Sequence, residues 1–304
     1  MKLDRRLVAC SALVAAAALL GGCASTPATS TATNPSEADA GQSDAGETRT
    51  LPTDVQADYQ LGGSYEPPAG VGLVVRDSGD YPAEGMYSIC YVNGFQTQPQ
   101  DAAVWLAEHP ELILWEGGGR AEGVDGAGQP VIDPNWPDEM ILDTSTESNR
   151  TAIAEVIGET IAQCGERGFD AVEFDNLDSW SRSSGALTLD DSIALATLLV
   201  DKAADAGLAA GQKNSAELAT RGRDEAGFLF AIAEECAAFD ECDAYSDVYG
   251  TNVIDIEYLE TKYADEMDVA FAEVCADPSS IPLTTLRDRD LVTPDNPDYV
   301  FDAC

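Results

Sequence analysis

Residues 168–178, GFDAVEFDNLD, combine a short apolar strand with a dense set of carboxylates. The apolar side chains of Ala171, Val172 and Phe174 favour burial, whereas an acidic side chain is costly to bury without a partner. The acids that follow or alternate with them are Glu173, Asp175 and Asp178. Parallel α/β barrels keep their chemistry at the carboxyl ends of their strands. The stretch therefore predicts one such strand, with the rest of the chain as its scaffold.

Eight further segments resemble buried strands, because each is a short apolar run that ends in polar residues. They are residues 59–61, 71–77, 87–93, 140–143, 208–214, 228–234, 253–258 and 283–288. Together with the opening stretch they exceed by one the number of strands in a closed eight-stranded barrel. We expect the first or the last candidate to be the extra one.

Two long helical patterns lie between these strands. Apolar residues recur at helical spacing over 150–167, with Ser148 as the predicted N-cap and Gly168 as the stop signal. A second pattern covers 189–206 and ends at Gly207. The alternation of strands and helices, without a nucleotide-binding glycine pattern, predicts a single α/β domain of the (β/α)8 TIM-barrel type.

The amino-terminal segment has the features of an export signal. A charged start precedes an apolar run over 7–20, which is shorter than the ~20 residues needed to span a bilayer. The run ends in LGGC, which resembles a bacterial lipobox. We therefore predict a lipoprotein signal peptide over 1–22, with Cys23 as the lipidated residue. An ordinary signal peptide that happens to end near Cys23 is the alternative.

The segment 23–52 is predicted to be a flexible linker, since it is mainly Ser, Thr, Ala, Gly and Asp and offers little to bury. Residues 53–304 then form the barrel domain. This order of anchor, linker and domain predicts an exported lipoprotein, held to the membrane at the bacterial cell surface.

The chain is strongly acidic, with 55 acids against 16 lysines and arginines and a formal net charge of −39. This excess argues against nucleic acid as a partner, because phosphate backbones require basic surfaces. The acids could form a solvating surface, as in salt-adapted proteins, or attract a cationic substrate. Composition leaves both interpretations open.

Six cysteines remain once residues 1–22 are removed and Cys23 is set aside, and an even number in an exported domain favours disulfides. Of the fifteen pairings that six cysteines allow, we expect Cys236–Cys242, Cys275–Cys304 and Cys90–Cys164. A zinc site is the weaker alternative, since the chain has one histidine, His109, and no Cys-x-x-Cys pair. We expect neither a metal nor a cofactor.

Polar residues stand at the predicted strand ends, which meet on one face of a parallel barrel. They include Gln60, Asp77, Asn93, Asp143, Asp175, Asn176, Lys213, Asn214, Glu234, Glu235, Glu257 and Tyr258. Two acids from different strands suit glycoside cleavage, with one as nucleophile and the other as general acid. A Ser-His-Asp triad is disfavoured by the single histidine. The alternatives are chance placement of acids, a loop cap over 175–178, and a calcium ligand set there.

Several motifs, in the same order, resemble the endo-α-1,4-polygalactosaminidase family, which is glycoside hydrolase family 114. They are EFDNLD at 173–178, GQKN at 211–214, FAIAEEC at 230–236 followed by EC at 241–242, YQL at 59–61 and EY at 257–258. The resemblance covers about residues 57–304. It implies a (β/α)8 barrel that hydrolyses the interior of an α-1,4-linked galactosamine polymer of microbial exopolysaccharide.

The resemblance also implies catalytic roles, with Asp175 as nucleophile and Glu234 as the acid/base residue. Ala233 stands where the family often has Asn, and Glu235 adds a second acid, so the choice between Glu234 and Glu235 stays open. The implied mechanism is retaining, with carboxyl groups about 5–5.5 Å apart; an inverting enzyme would need about 6.5–9.5 Å.

The charges of the two acids are expected to differ. Asp175 has to stay ionised, with help from Lys213 or Asn176, and its negative charge is expected to raise the pKa of Glu234.

The remaining residues of the motifs and strand ends are expected to bind substrate. They are Tyr59, Gln60, Asp77, Asn93, Glu173, Asn176, Asp178, Lys213, Asn214, Glu235, Glu257 and Tyr258. Among them, Glu173, Asp178 and Glu257 are expected to bind the ammonium groups of partly deacetylated galactosamine. Candidate sugar platforms are Tyr59, Tyr258 and Trp180.

The expected partner is thus a galactosamine-rich polysaccharide, and the chain is expected to act as a monomer. The alternative function is a non-catalytic carbohydrate-binding lipoprotein on the same barrel scaffold. A calcium-binding envelope protein, with the metal held by Glu173, Asp175 and Asp178, is a third hypothesis.

Overall fold

The structure, a computed structural model, describes residues 50–52, 54–118, 128–258 and 270–304. The expected signal peptide, Cys23 and most of the expected linker lie outside these ranges. Nearly all of the described residues belong to the predicted barrel domain.

Eight parallel strands form the barrel, in the order in which they occur in the chain. They are β1 (Gln56–Gln60), β2 (Val71–Asp77), β3 (Tyr87–Asn93), β4 (Ala171–Asp175), β5 (Ala209–Lys213), β6 (Phe230–Glu234), β7 (Val253–Tyr258) and β8 (Leu283–Arg287). A ninth strand, β9 (Phe301–Ala303), pairs antiparallel with β8. β1 and β8 lie side by side where the barrel closes. The predicted TIM-barrel fold is confirmed.

The expectation about the extra strand candidate is wrong, because the extra is 140–143 rather than the first or the last. Met140, Ile141 and Leu142 form isolated antiparallel bridges within the connection from β3 to β4. All three side chains are buried. A short apolar run predicts burial but not the partner that provides it, and here the partner is the connection itself.

Helices follow strands β3 to β7. They are α1 (Ala102–Glu108), α2 (Glu147–Arg167), α3 (Ser179–Arg182), α4 (Leu189–Asp205), α5 (Ala219–Arg221), α6 (Cys242–Tyr249) and α7 (Phe271–Ala276). The loops from β1 to β2 and from β2 to β3 contain no helix. Within the described ranges, no helix is long and apolar enough to cross a membrane.

The two long helices have side-chain caps at their amino ends. Thr146, and not the predicted Ser148, caps α2, where its hydroxyl accepts a hydrogen bond from the Asn149 N–H at 3.1 Å. Thr188 forms a reciprocal capping box with Asp191 at the start of α4. Gly168, in the left-handed conformation, ends α2 as predicted.

Side-chain alternation divides each strand between two apolar cores. In β4, Ala171 belongs to the core inside the barrel, whereas Val172 and Phe174 belong to the core between the sheet and the helices. Glu173 and Asp175 share the parity of Ala171 and therefore face the barrel interior. The strand thus packs the helical layer with one face and lines the barrel with the other.

Three disulfides brace the domain and are typical of exported proteins. Cys90–Cys164 joins β3 to α2, Cys236–Cys242 closes the segment after β6, and Cys275–Cys304 attaches the C-terminal residue to α7. The pairs are those expected from the sequence.

A buried ion pair joins the first and last parallel strands. Arg287 of β8 donates to Asp58 of β1 at 2.9 Å, and both side chains are fully buried. Arg287 also donates to the backbone carbonyls of Tyr59, Val292 and Val300. Its guanidinium therefore links β1, β8 and the segment that leads into β9.

Arg287→Met should destabilise the fold by about 3–5 kcal/mol, because it leaves the buried Asp58 carboxylate without its cation. Urea unfolding measures this loss. Arg223→Met, which breaks an exposed pair with Asp224, is the control and should change stability far less. Equal effects of the two substitutions would show that the contact between β1 and β8 does not depend on this ion pair.

Candidate active site

The ammonium group of Lys213 lies at the centre of a cluster of acids inside the barrel mouth. Its Nζ is 3.3 Å from Glu173 Oε1, 3.5 Å from Asp175 Oδ2 and 3.3 Å from Glu234 Oε2. It also donates to the Tyr59 hydroxyl at 2.9 Å. Burial lowers the pKa of Lys213, but the surrounding carboxylates raise it well above its usual value. The surrounding carboxylates therefore favour the charged form of this buried group.

The strand ends bring these residues together. Asp175, Lys213 and Glu234 are the last residues of the neighbouring strands β4, β5 and β6. Alternation directs all three inward, since each lies at an even spacing from a residue of the inner core. The prediction from sequence that 173–178, 211–214 and 230–236 are parts of one site thus agrees with their positions in the barrel.

The backbone turns sharply after each of these strands. Asn176, Asn214 and Glu235 adopt φ values of 65°, 47° and 61°, in the left-handed region. This conformation costs a non-glycine residue about 1 kcal/mol or more, and it persists only where surrounding contacts hold it. Here hydrogen bonds do so: the Asn214 N–H donates to Ile232 and the Glu235 N–H to Ile256, both at 2.8 Å.

Hydrogen bonds hold Glu234 firmly. Its Oε2 accepts from Asn214 Nδ2 at 2.9 Å, its backbone N–H donates back to Asn214 Oδ1 at 2.8 Å, and Tyr258 donates its hydroxyl to Oε1. Burial raises the pKa of Glu234, but Lys213 and the hydrogen bonds from Tyr258 and Asn214 outweigh it, so the pKa lies below its usual value. The expectation of a raised pKa is wrong, because the charge of Lys213 acts on Glu234 as well as on Asp175.

Accessibility distinguishes the acids around Lys213. The side chains of Asp175 and Glu234 are 19% and 28% exposed, whereas those of Glu173 and Lys213 are 0% and 3% exposed. Asp175 Oδ2 and Glu234 Oε2 lie at most 6.8 Å apart, the sum of their 3.5 and 3.3 Å distances to Lys213 Nζ. The site therefore presents two carboxylates to a molecule in the barrel mouth, over a buried lysine.

Asp175 is oriented by its own strand and by β3. The Tyr91 hydroxyl donates to its Oδ2 at 2.8 Å, and the Asn176 N–H donates to its Oδ1 at 2.7 Å. Tyr91 was missed in the sequence, although alternation from Asn93 identifies it as an inward residue of the same strand.

Glu173 is more deeply buried than Asp175 and Glu234. Its Oε1 accepts from the Tyr59 hydroxyl at 3.0 Å, and its Oε2 is buried without a hydrogen-bond partner in the described part of the chain. Burial raises its pKa to about 7, although Lys213 lowers it. Because Glu173 and Tyr59 are fully buried, they can support the site through Lys213 but do not reach the surface of the mouth.

Glu235 does not share the environment of Glu234. It is paired with Arg289 at 2.8 Å, and the Arg289 guanidinium lies 4.6 Å from the centre of the Tyr258 ring. The turn after β6 therefore directs the second acid away from Lys213, which distinguishes the two candidates. Arg289 follows the last parallel strand and had no distinguishing signal in the sequence.

Three predicted substrate-binding residues lie apart from the Lys213 cluster. Gln60 has outward parity and hydrogen-bonds Asp58 and Arg76, and Glu257, also outward, accepts from the Ala237 N–H at 2.9 Å. Asp77, at the end of β2, accepts from Gly79 of its own turn at 2.7 Å. A strand end alone does not specify the face on which a side chain lies.

A second polar cluster adjoins Asp175 on the side of β3. It contains the predicted Asn93, Asn176 and Asp178 and three residues that were not predicted, Asp133, Glu139 and Arg182. Arg182 donates to Asp178 and to Asp133, and at 3.1 Å to Asn176 Oδ1. Asp133 and Glu139 belong to the long irregular connection between β3 and β4. No periodic pattern in the sequence indicates where this connection packs.

The candidate sugar platforms are mostly enclosed. Tyr59 is 1% exposed and Tyr258 is 6% exposed. Trp180 is partly buried and packs against Leu114, Ile141 and Leu187. Tyr59 and Tyr258 therefore contribute hydrogen bonds inside the mouth, and Trp180 contributes packing.

The described residues offer poor metal ligands. One group, Cys236, Cys242 and Asp255, lies close enough to hold an ion, but its two sulfurs form a disulfide. Asp178, central to the calcium hypothesis, is paired with Arg182.

Glu173→Gln should reduce the pH dependence of stability. The folded chain retains a proton on Glu173 up to about pH 7, whereas the unfolded chain loses it near 4.5, so the free energy of unfolding falls as pH rises between these values. Denaturant titrations at pH 4.5 and 7.5 should show a decline on the order of 3 kcal/mol smaller in the variant. Glu84→Gln, at an exposed glutamate, is the control; an equal decline in both variants would contradict this role of Glu173.

Comparison with known proteins assigns the chain to a family. A family model described as glycoside-hydrolase family GH114 matches residues 37–304. No curated protein sequence matches the chain. The chain is similar to the crystal structure of Aspergillus fumigatus Ega3 in complex with galactosamine, with 18% identity over 85% of this chain and 97% of that chain, and a TM-score of 0.61.

The chain is also similar to the glycoside hydrolase domain of PelA from Pseudomonas aeruginosa. That likeness has 15% identity over 82% of this chain and 98% of that chain, with a TM-score of 0.52. At such identities the structural likeness shows the fold, and the family match covers most of the chain. The resemblance seen in the motifs is confirmed, and the chain belongs to glycoside-hydrolase family GH114.

Proposed function

We propose that this protein is an endo-acting glycoside hydrolase that cleaves α-1,4-linked galactosamine polysaccharide. The observation that carries the proposal is the pair of partly exposed carboxylates, Asp175 and Glu234, that share the buried Lys213. Family membership supports the reaction type, and the likeness to Ega3, a structure containing galactosamine, supports the substrate class.

The proposed mechanism is retaining. A carboxylate oxygen of Asp175 attacks the anomeric carbon while the bond from that carbon to the bridging oxygen breaks, and Glu234 gives its proton to that oxygen. In the second step Glu234 removes a proton from water. The water oxygen attacks the anomeric carbon and releases Asp175. The upper bound of 6.8 Å between the two oxygens, the sum of 3.5 and 3.3 Å, admits the separation of about 5–5.5 Å that this mechanism uses.

Lys213 contacts both acids in this mechanism. Its Nζ lies 3.5 Å from Asp175 Oδ2, and its charge lowers the pKa of Glu234, which must carry a proton in the first step. Glu234 therefore has to take up its proton against the charge of Lys213 before the first step. In the second step, the charge of Lys213 favours the ionised form of Glu234, which then acts as the base.

We further propose that the acidic character of the chain concentrates a cationic polymer at the barrel mouth. The formal net charge of −39 is opposite in sign to the ammonium groups of deacetylated galactosamine. Export is consistent with the three disulfides. A lipid on Cys23 would then hold a monomeric enzyme at the cell surface, close to exopolysaccharide.

Replacement of either proposed catalytic acid should abolish cleavage of a galactosamine polymer. We expect Asp175→Asn to lower kcat by at least ~10³-fold and Glu234→Gln by about 10²–10⁴-fold, measured as release of reducing ends. Glu235→Gln, which loses the Arg289 pair, should cost less than about tenfold. Asp247→Asn, on the exposed face of α6, is the control.

Undiminished hydrolysis by Asp175→Asn would refute the proposed nucleophile. Binding of the polymer by the unmodified protein without release of any oligosaccharide would instead favour the non-catalytic carbohydrate-binding alternative.

The first product should carry the α configuration at its new reducing end, since two displacements at one carbon restore the original stereochemistry. Proton NMR during the first minutes of the reaction, before mutarotation, reports the anomer. Appearance of the β anomer first would establish an inverting mechanism, in which Asp175 activates water.

A further inference from the structure

Glu139 is a buried carboxylate without a cation among the residues that the structure describes. It is 8% exposed. Its Oε2 accepts hydrogen bonds from two neutral amides, Asn93 Nδ2 at 2.9 Å and Asn176 Nδ2 at 3.4 Å. No lysine or arginine of the described ranges forms an ion pair with it.

The neighbouring cation is engaged elsewhere. Arg182 directs its guanidinium to Asp133 and Asp178, and to the carbonyl oxygen of the Asn176 side chain. That last contact leaves the amide nitrogen of Asn176 to face Glu139. Burial, together with the negative charges of Asp175 and Asp133, raises the pKa of Glu139 to about 7, although the hydrogen bond from Asn93 and the charge of Arg182 lower it.

The two amides that bond Glu139 belong to neighbours of the proposed nucleophile. Asn93 is the register partner of Asp175 in the β3–β4 pair, and Asn176 follows Asp175 in sequence. Glu234 approaches Asp175 from the other side, through β5 and β6. Glu139 and Glu234 therefore flank the nucleophile on opposite sides.

The order Glu234, Asp175 and Glu139 corresponds to the order of the bridging oxygen, the anomeric carbon and the carbon-2 substituent in a 2-amino sugar. When the anomeric carbon lies at Asp175 and its bridging oxygen points towards Glu234, carbon 2 is one bond away and its substituent can point towards β3. Glu139 has no ion-pair partner among the described residues, and an ammonium group there would provide one. A buried carboxylate is stabilised when it gains a charged, hydrogen-bonded partner. An N-acetyl group is neutral and bulkier, and offers no such charge.

We propose that Glu139 binds the ammonium group of the galactosamine unit at the cleavage point and thereby selects the de-N-acetylated sugar. This inference rests on the function proposed above and adds to it the residue that determines the specificity for the amine.

Glu139→Gln tests the inference, because it removes the charge while keeping an acceptor for Asn93 and Asn176. We expect KM for de-N-acetylated galactosamine oligomers to rise at least tenfold, with a smaller change in kcat. The ratio of kcat/KM for these oligomers to kcat/KM for fully N-acetylated oligomers should fall at least tenfold. Glu139→Asp, which keeps the charge, should retain most of the preference.

Asp138→Asn is the matched control, since it removes one negative charge from the adjacent, exposed position of the same loop. It should leave the ratio unchanged. If Glu139→Gln lowers kcat/KM equally for both kinds of oligomer, Glu139 only positions its amide neighbours and the inference is wrong. Thermal melting of each variant identifies loss of folding.

Binding distinguishes failure of this inference from failure of the proposed function. Calorimetry with the same oligomers, on Asp175→Asn with and without Glu139→Gln, does not depend on cleavage. Tighter binding of the amine form that disappears with Glu139→Gln supports the inference even if the unmodified protein cleaves nothing. Equal binding of the two forms by Asp175→Asn overturns it even if the polymer is cleaved.

Discussion

The contact of one buried ammonium group with several carboxylates underlies the arrangement of the barrel mouth. The Lys213 ammonium group lies within 3.5 Å of Glu173, Asp175 and Glu234, and its positive charge offsets the repulsion between carboxylates in a poorly hydrated interior. Because Lys213 is the last residue of β5, between β4 and β6, the cation is equally available to the acids of both neighbours. Asp175 and Glu234 stay partly exposed above Lys213, whereas Glu173 is enclosed.

The strands that carry this cluster also hold the domain together. Their outward positions pack the helices and their inward positions line the barrel. Where β1 meets β8, the outward residues Asp58 and Gln60 form a separate network with Arg287 and Arg76. The two networks do not compete, because alternation keeps neighbouring residues of a strand on opposite faces. Gln60 and Tyr59 illustrate this: Gln60 contacts Arg76, whereas Tyr59 contacts Glu173 and Lys213.

The proposed chemistry uses acids in three different electrostatic settings. Lys213 holds the pKa of Glu234 below its usual value, and burial raises the pKa of Glu173 to about 7. Burial also raises the pKa of Glu139 to about 7, and its hydrogen-bond donors among the described residues are amides. A cationic sugar would complete the last of these settings. The acidic chain would also attract the ammonium groups of the polymer over a distance. Long-range attraction and binding at Glu139 would thus both depend on the ammonium group.

Much of the fold and part of the site could be predicted from the sequence, because both depend on local patterns. Apolar runs and helical periods identify the eight barrel strands and the long helices, and the acids of β4 and β6 stand in recognisable motifs. The sequence by itself did not determine that 140–143 packs within a connection, that Glu235 turns towards Arg289, or that Glu139 lies beside Asp175. Tertiary structure decided these points, since burial, parity and the charge around a group depend on residues far apart in the chain, and Lys213 reverses the expected pKa of Glu234 for that reason.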